Sequence, residues 1–189
     1  MAYVENTKYM EHERKFIVNR GFLDEIYDNS IGSVVVKQGY LNINKSSSIV
    51  QARFTHNITK HIGIGNAKGV LNGASRPEFE WKMEENTVIE LLKCIPNTIY
   101  KRRVYLIHDG RKWSVDVYLD DNAPLIIAEI ECPDPDDLVA ACKNLPKWVM
   151  SDVTDKEEYY NKNLAFNPYS QWGQIVTVQK PASTYQQAN

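Results

Sequence analysis

Hydrophobic and polar residues alternate singly along much of this chain, in runs of strand length. In residues 10–18, Glu11, Glu13 and Lys15 occupy alternate positions ahead of Phe16-Ile17-Val18. That spacing predicts a strand carrying the three charges on one face, because side chains alternate across the pleat. Phe22 to Tyr27 has apolar residues at helical spacing and predicts a short helix. Val34 to Leu41 is β-branched and predicts a strand, Asn44 to Ser48 a turn, and Ile49 to Thr55 a strand with Gln51 and Arg53 on one face. From His56 to Gly73 the chain is glycine-rich, with Ile62-Gly63-Ile64-Gly65 and Lys68-Gly69. A bulged strand and a long connection both fit this segment.

The second half is more regular. Glu78-Phe79-Glu80-Trp81 alternates acid and aromatic, and Thr87 to Cys94 carries Val88, Leu91 and Leu92 at helical spacing before Pro96. Ile99 to Ile107 predicts a strand with Lys101 and Arg103 on one face. Asp109-Gly110 marks a hairpin, after which Trp113 to Tyr118 alternates with Asp116 on its polar side. Leu125 to Glu131 is a strand with Glu129 and Glu131 on one face. Pro133-Asp134-Pro135-Asp136 closes it and introduces a helix near 136–145. A last helix is expected over 155–166, then a mobile tail over 169–189 rich in Gln, Ser and Thr. Residues 1–168 are expected to form one domain.

Composition narrows the classes. At 43% apolar and 24% charged residues, the chain has an ordinary globular composition. A net charge of −2 gives no global bias toward nucleic acid or membrane, so any anion site must be local. Cys94, Cys132 and Cys142 are odd in number and lack metal spacing, which indicates a reduced, cytoplasmic protein. No signal peptide is expected at the N-terminus, and no apolar run approaches the ~18 residues of a membrane helix.

The polar faces of these strands carry both signs. Acids are Glu11, Glu13, Glu78, Glu80, Asp116, Glu129 and Glu131; bases are Lys15, Arg53, Lys101 and Arg103, with Lys68. The opposite faces carry Phe79, Trp81, Val115, Val117, Ala128 and Ile130, and the aromatics Phe79, Trp81 and Trp113 are expected in the core. With helices over the apolar side, the charged faces would turn toward one another in a closed or nearly closed antiparallel barrel. Chemistry needs this mixture for a polyphosphate. Lysine and arginine hold its oxygens, while carboxylates hold Mg²⁺ or Mn²⁺ against it. Any one Glu-x-Glu pair is more often a solvated face. Three such pairs beside Lys-x-Arg favour a site.

The Glu-x-Glu-x-Lys run of Glu11, Glu13 and Lys15 resembles the signature of the CYTH family, the triphosphate tunnel metalloenzymes. Gln38-Gly39-Tyr40-Leu41, Lys68-Gly69, Ser75-Arg76-Pro77-Glu78-Phe79-Glu80-Trp81, Lys101-Arg102-Arg103, Trp113 to Val117, Ala128 to Glu131 and Tyr159 to Ala165 extend the resemblance over about residues 9–168. It is closest to the short bacterial members. The resemblance implies an α+β fold, an eight-stranded antiparallel β-barrel with flanking helices whose tunnel binds a triphosphate. It implies Mg²⁺ or Mn²⁺ held by Glu11, Glu13, Asp116, Glu129 and Glu131, and phosphate held by Lys15, Arg53, Lys68, Lys101 and Arg103. Lys15, Glu78 and Glu80 are then the catalytic candidates, the two glutamates supporting metal or water. Family members hydrolyse tripolyphosphate, thiamine triphosphate or nucleoside triphosphates, and a separate branch cyclises ATP. Metal-dependent triphosphate hydrolysis is the expected function; non-hydrolytic nucleotide or polyphosphate binding and cyclisation are the alternatives. The expected partner is a small triphosphate, not nucleic acid or membrane, and a homodimer is left open. Gln51 departs from the family's Arg-x-Arg strand, removing one positive charge, and the segment between Arg53 and Lys68 is longer than in typical short members.

Overall fold

The strand-forming pattern produces nine strands and four helices among the described residues. The computed structural model describes residues 9–42, 49–69 and 75–174. At several span ends, including Glu11, only the backbone is described. The turn expected at Asn44 to Ser48 and the tail beyond Gln174 lie outside the described residues. In chain order the elements are β1 (Tyr9–Val18), α1 (Leu23–Asp28), β2 (Gly32–Asn42), β3 (Ile49–Asn57), β4 (Ile62–Gly69), β5 (Ser75–Met83) and α2 (Glu85–Cys94). There follow β6 (Thr98–His108), β7 (Arg111–Tyr118), β8 (Ile126–Cys132), α3 (Pro135–Ala141), β9 (Val149–Asp152) and α4 (Asn161–Phe166).

Eight strands pair antiparallel in the order β5-β4-β3-β2-β6-β7-β8-β1, and β1 returns to β5 to complete the ring. β1 serves two neighbours along one edge: Tyr9 to His12 face β5, and Phe16 to Val18 face β9. Local chemistry sets the junctions. Asp109 and Gly110 both take positive φ, 50° and 72°, in the β6–β7 hairpin, which is the handedness a tight hairpin needs. The Asp134 carboxylate accepts from the Asp137 N–H at 2.8 Å and Pro135 opens α3, a capped helix start.

Alternation then divides the ring into two faces. Outward go Phe16, Val18, Val104, Leu106, Trp113, Val115, Ala128 and Ile130, packed against Ile26 of α1, Leu138 and Ala141 of α3, and Trp148. Trp113 sits at the centre of this core, its ring 5.7 Å from Phe16 and 5.5 Å from Trp148, edge-on to the latter. α2 covers β3 and β4, burying Val88 and Leu92 one turn apart. That approach requires a glycine below it: a Cβ on Gly63 would lie 2.8 Å from the Met83 carbonyl oxygen and 3.2 Å from Val88 Cβ.

A second apolar cluster lies inside. Tyr40, Ile99, Tyr118 and Ile127 share the inward face, and Leu164 of α4 packs on them with Leu125. α4 therefore closes one end of the barrel. Asn122 latches it: its Nδ2 donates to the Leu164 carbonyl at 3.3 Å and its Oδ1 accepts from the Tyr169 N–H at 2.9 Å. The Tyr118 hydroxyl donates to Asn161.

Several elements differ from the sequence expectation. The glycine-rich stretch is a regular strand, β4, whose glycines admit α2 and the Trp81 ring. β9 has no sequence signature; four residues are too few for a period to emerge. α3 ends at Ala141 rather than near 145, and α4 begins at Asn161 rather than 155, since Glu157–Tyr159 takes a 3-10 turn. Tyr169–Gln174 is a 3-10 helix, with Tyr169 and Trp172 packed against the inner cluster, where a tail was expected. Trp81 is not core: it is 38% exposed, and lies over Gly65 on the outer face. No described helix is long and apolar enough to cross a membrane.

Two stability outcomes follow. Gly63→Ala overpacks the α2 contact and is expected to lower stability by about 1–3 kcal/mol. Leu164→Ala leaves a cavity in the closed end and is expected to lower it by about 2–5 kcal/mol. Urea unfolding of each variant beside the parent chain measures both.

Candidate active site

The inward residues of neighbouring strands meet at paired positions. On β1 and β8, Glu13 faces Glu131 and Lys15 faces Glu129. On β8, β7 and β6, Glu129 faces Ser114, Ser114 faces Tyr105, and Asp116 faces Arg103. The result is a continuous chain of ion pairs across four strands. Lys15 Nζ lies 2.8 Å from Glu13 Oε1 and 2.6 Å from Glu129 Oε1. Arg103 Nη2 donates to Glu129 Oε2 at 2.6 Å and to Asp116 Oδ2 at 2.7 Å, and Arg103 Nε donates to Asp116 Oδ1 at 2.7 Å. Lys101 Nζ donates to Asp116 Oδ2 at 2.5 Å, and both side chains are 0% exposed.

Burial and pairing pull these groups in different directions. Burial opposes the charge on Glu129, yet Lys15, then Arg103 and Lys101, hold its carboxyl well below the usual range. Burial likewise opposes the Lys15 ammonium, but Glu129 and then Glu13 keep it above its ordinary value. For Lys101 burial prevails over Asp116 and lowers the amine to about 8. The short contact to Asp116 still favours the charged form near neutrality.

β3, β4 and β5 carry a second group. Glu78 lies 3.4 Å from Arg53 Nη2 and 3.3 Å from Lys68 Nζ, and accepts from the Asn66 amide. Arg53 Nε and Asn66 Oδ1 are buried without a hydrogen-bond partner among the described residues. A buried guanidinium N–H left unpaired costs free energy unless a ligand accepts from it. Between the two groups runs a neutral strip on β2 and β3: Tyr40 Oη donates to Gln38 Oε1 at 3.0 Å, and Gln38 Nε2 donates to Thr55 Oγ1 at 3.1 Å. Burial pushes the Tyr40 phenol up, so it stays a neutral donor.

The sequence-predicted residues therefore fall into two sets. Glu13, Lys15, Lys101, Arg103, Asp116 and Glu129 share one ion-pair chain; Arg53, Lys68 and Glu78 share the other group. Glu131 faces Glu13 at an exposed position, and Glu80 is exposed opposite Asn66. The backbone of Glu11 faces Arg76, while its side chain lies outside the described ones. Gln51 is buried opposite Lys68. Asn66, Gln38 and Tyr40 were not predicted as site residues. Asn66 follows Ile62 and Ile64 at period two, a signal hidden while the strand itself was unplaced.

Among the described residues no three His, Cys, Asp or Glu side chains are arranged to hold a metal ion. The donor chemistry nevertheless fits a hard divalent cation. Glu13 and Glu131 stand directly opposite each other on paired strands and put two hard oxygen donors on one inward face, with Lys15 Nζ 2.8 Å from Glu13.

No family model matches the chain. It is 35% identical over 162 residues to an inorganic triphosphatase of Acetivibrio thermocellus, covering 84% of this chain and 95% of the relative. An inorganic triphosphatase of Nitrosomonas europaea is 28% identical over 163 residues, covering 83% and 97%. A crystal structure of an inorganic triphosphatase superposes with a TM-score of 0.54 at 25% identity, over 82% of this chain and 93% of the other. A barrel lined by Glu13, Lys15, Lys101, Arg103, Asp116 and Glu129, and relatedness at this level over nearly the full length of both relatives, lead to one assignment: the chain belongs to the CYTH family of triphosphate tunnel proteins.

Proposed function

We propose that this protein hydrolyses a triphosphate inside the barrel with the help of a divalent metal, Mg²⁺ or Mn²⁺, and that its substrate is inorganic tripolyphosphate. Residues 1–168 would act as one catalytic domain, and the free cysteines suit a cytoplasmic setting. The observation that carries the reading is the interleaving of buried cations and carboxylates along one inward face. Such a lining suits neither a bare anion nor a bare cation. It suits both together, because the carboxylates can turn to a metal while the cations turn to phosphate.

The roles follow from position. Glu13 and Glu131, with Glu11, Asp116 and Glu129, would hold the metal. Lys15, Lys101 and Arg103 would take phosphate oxygens on one wall, and Arg53 and Lys68 on the other. The metal would supply charge neutralisation for the phosphoryl group and a lowered pKa for an attacking water. Glu78 holds Arg53 and Lys68 in place until substrate arrives. Glu80, exposed on β5 opposite Asn66, would orient water. Two relatives are inorganic triphosphatases, which supports an inorganic chain as the substrate.

The direct test is phosphate release from tripolyphosphate, ATP, GTP and thiamine triphosphate, each with Mg²⁺ and with Mn²⁺. Release is expected for tripolyphosphate with metal, and its loss on chelation. A chain that binds tripolyphosphate and returns it intact would be a binding protein instead. Arg53→Met is expected to reduce kcat/KM by about 10- to 100-fold, the worth of a charged hydrogen bond to phosphate.

Glu129→Gln is expected to abolish most activity and to lower stability by about 3–5 kcal/mol, since it leaves buried cations short of a carboxylate. Its pH signature is distinct. The folded pKa of Glu129 lies below the unfolded value, so its stabilisation is complete above about pH 4.3 and disappears as pH falls. Urea midpoints between pH 7 and pH 3 are therefore expected to fall less steeply in the variant than in the parent.

A further inference from the structure

We propose that Lys112, held over the ring of Tyr105, is a further phosphate-binding residue at the open mouth of the barrel; this rests on the triphosphatase reading above. Alternation along β7 puts Lys112 on the same face as Ser114, Asp116 and Tyr118, while Trp113 and Val115 go outward to the core. Lys112 faces Ile107 on β6. On the other side Trp113 faces Ile130, so Lys112 stands at the level of Glu131, which in turn faces Glu13. Tyr118 meets the closing helix at the far end of the same strand. The two are six positions apart along the strand, about 20 Å, so Lys112 stands at the end that α4 leaves open.

Its charge is handled differently from those deeper inside. Lys15, Lys101, Arg103, Arg53 and Lys68 each lie against a carboxylate. Lys112 makes no ion pair among the described residues; its Nζ sits 4.1 Å from the Tyr105 ring centroid. A ring face orients an ammonium without neutralising it. Tyr105 is itself one position from the ion-pair chain, facing Ser114 beside Glu129. Among the described residues the ammonium is thus exposed, oriented and without an ion pair at the end that α4 leaves open. It would draw the triphosphate in and hold its outermost phosphate, while Tyr105 acts as the positioning residue. Neither residue belongs to the motifs that identify the family in this chain.

The test compares the parent chain with Lys112→Met, Lys112→Arg and Tyr105→Leu. Steady-state hydrolysis of tripolyphosphate is measured at low and high salt, with calorimetric binding of tripolyphosphate and the melting temperature of each variant. Lys112→Met is expected to raise KM about five-fold at low salt, with kcat nearly unchanged, and the gap is expected to shrink at high salt because an exposed charge is screened. Lys112→Arg is expected to restore KM, and Tyr105→Leu to raise it in the same direction. A Lys112→Met enzyme with the parent KM, or an Arg variant as impaired as Met at an unchanged melting temperature, would overturn the role of Lys112 alone. A parent chain that neither hydrolyses nor binds tripolyphosphate would overturn the function on which that role rests.

Discussion

Burying charge is expensive, and this barrel buries charge at its centre. Moving an ion from water into a protein interior costs several kcal/mol even after relaxation, so it persists only with partners in good geometry. Here the partners come from the sheet. Lys15 stands between Glu13 and Glu129, Arg103 between Glu129 and Asp116, and Lys101 ends the row on Asp116. Apart from Glu13 and Lys15, two residues apart on β1, the pairs in that row join residues 13 to 114 positions apart. The row exists because β1, β8, β7 and β6 pair in one register, and a slip of one residue would turn every charge outward.

The apolar work is done on the other side of the same strands. Val115, Ala128 and Ile130 alternate with Asp116 and Glu129, and they pack under α1, α3 and Trp148. Cohesion therefore comes from the outer face, and the inner face is left to carry charge. The division is incomplete at one end, where Tyr40, Ile99, Tyr118 and Ile127 turn inward and meet Leu164. That apolar closure makes the interior one-ended. It also keeps water from the lower part of the ion-pair row, which strengthens each charge interaction there.

An interior whose cations are already satisfied by carboxylates is a resting arrangement. Under the proposed function a metal would compete for the carboxylates and a polyphosphate for the cations, so each ligand would release what the other needs. Binding of the two would then be coupled through shared ion pairs. Among the described residues the Arg53 Nε, which has no acceptor although Nη2 meets Glu78, and the Lys112 ammonium, which has no ion pair, differ from the rest, since each has a donor left for a phosphate.

The period-two alternation of Glu11-Glu13-Lys15, Lys101-Arg103 and Glu129-Glu131 is a local property, so strands, their two faces and the mixed sign of the inner one were legible in the chain itself. So were the Asp109-Gly110 hairpin and the capped start of α3. The pairing of Lys15 with Glu129 was not, since it depends on which strands become neighbours. The same holds for β9, which exists only because β1 has an edge left after β5 departs. Trp81 reads as core by its alternation, yet lies partly exposed over Gly65 on the outer face. Lys112 and Asn66 look like ordinary polar residues until register sets one at the mouth and the other against Glu78. Residue types and their period determined the charged face by short-range geometry; which charges meet, which stay uncompensated and which end is closed were decided by long-range strand order and register, fixed only when the ring closes.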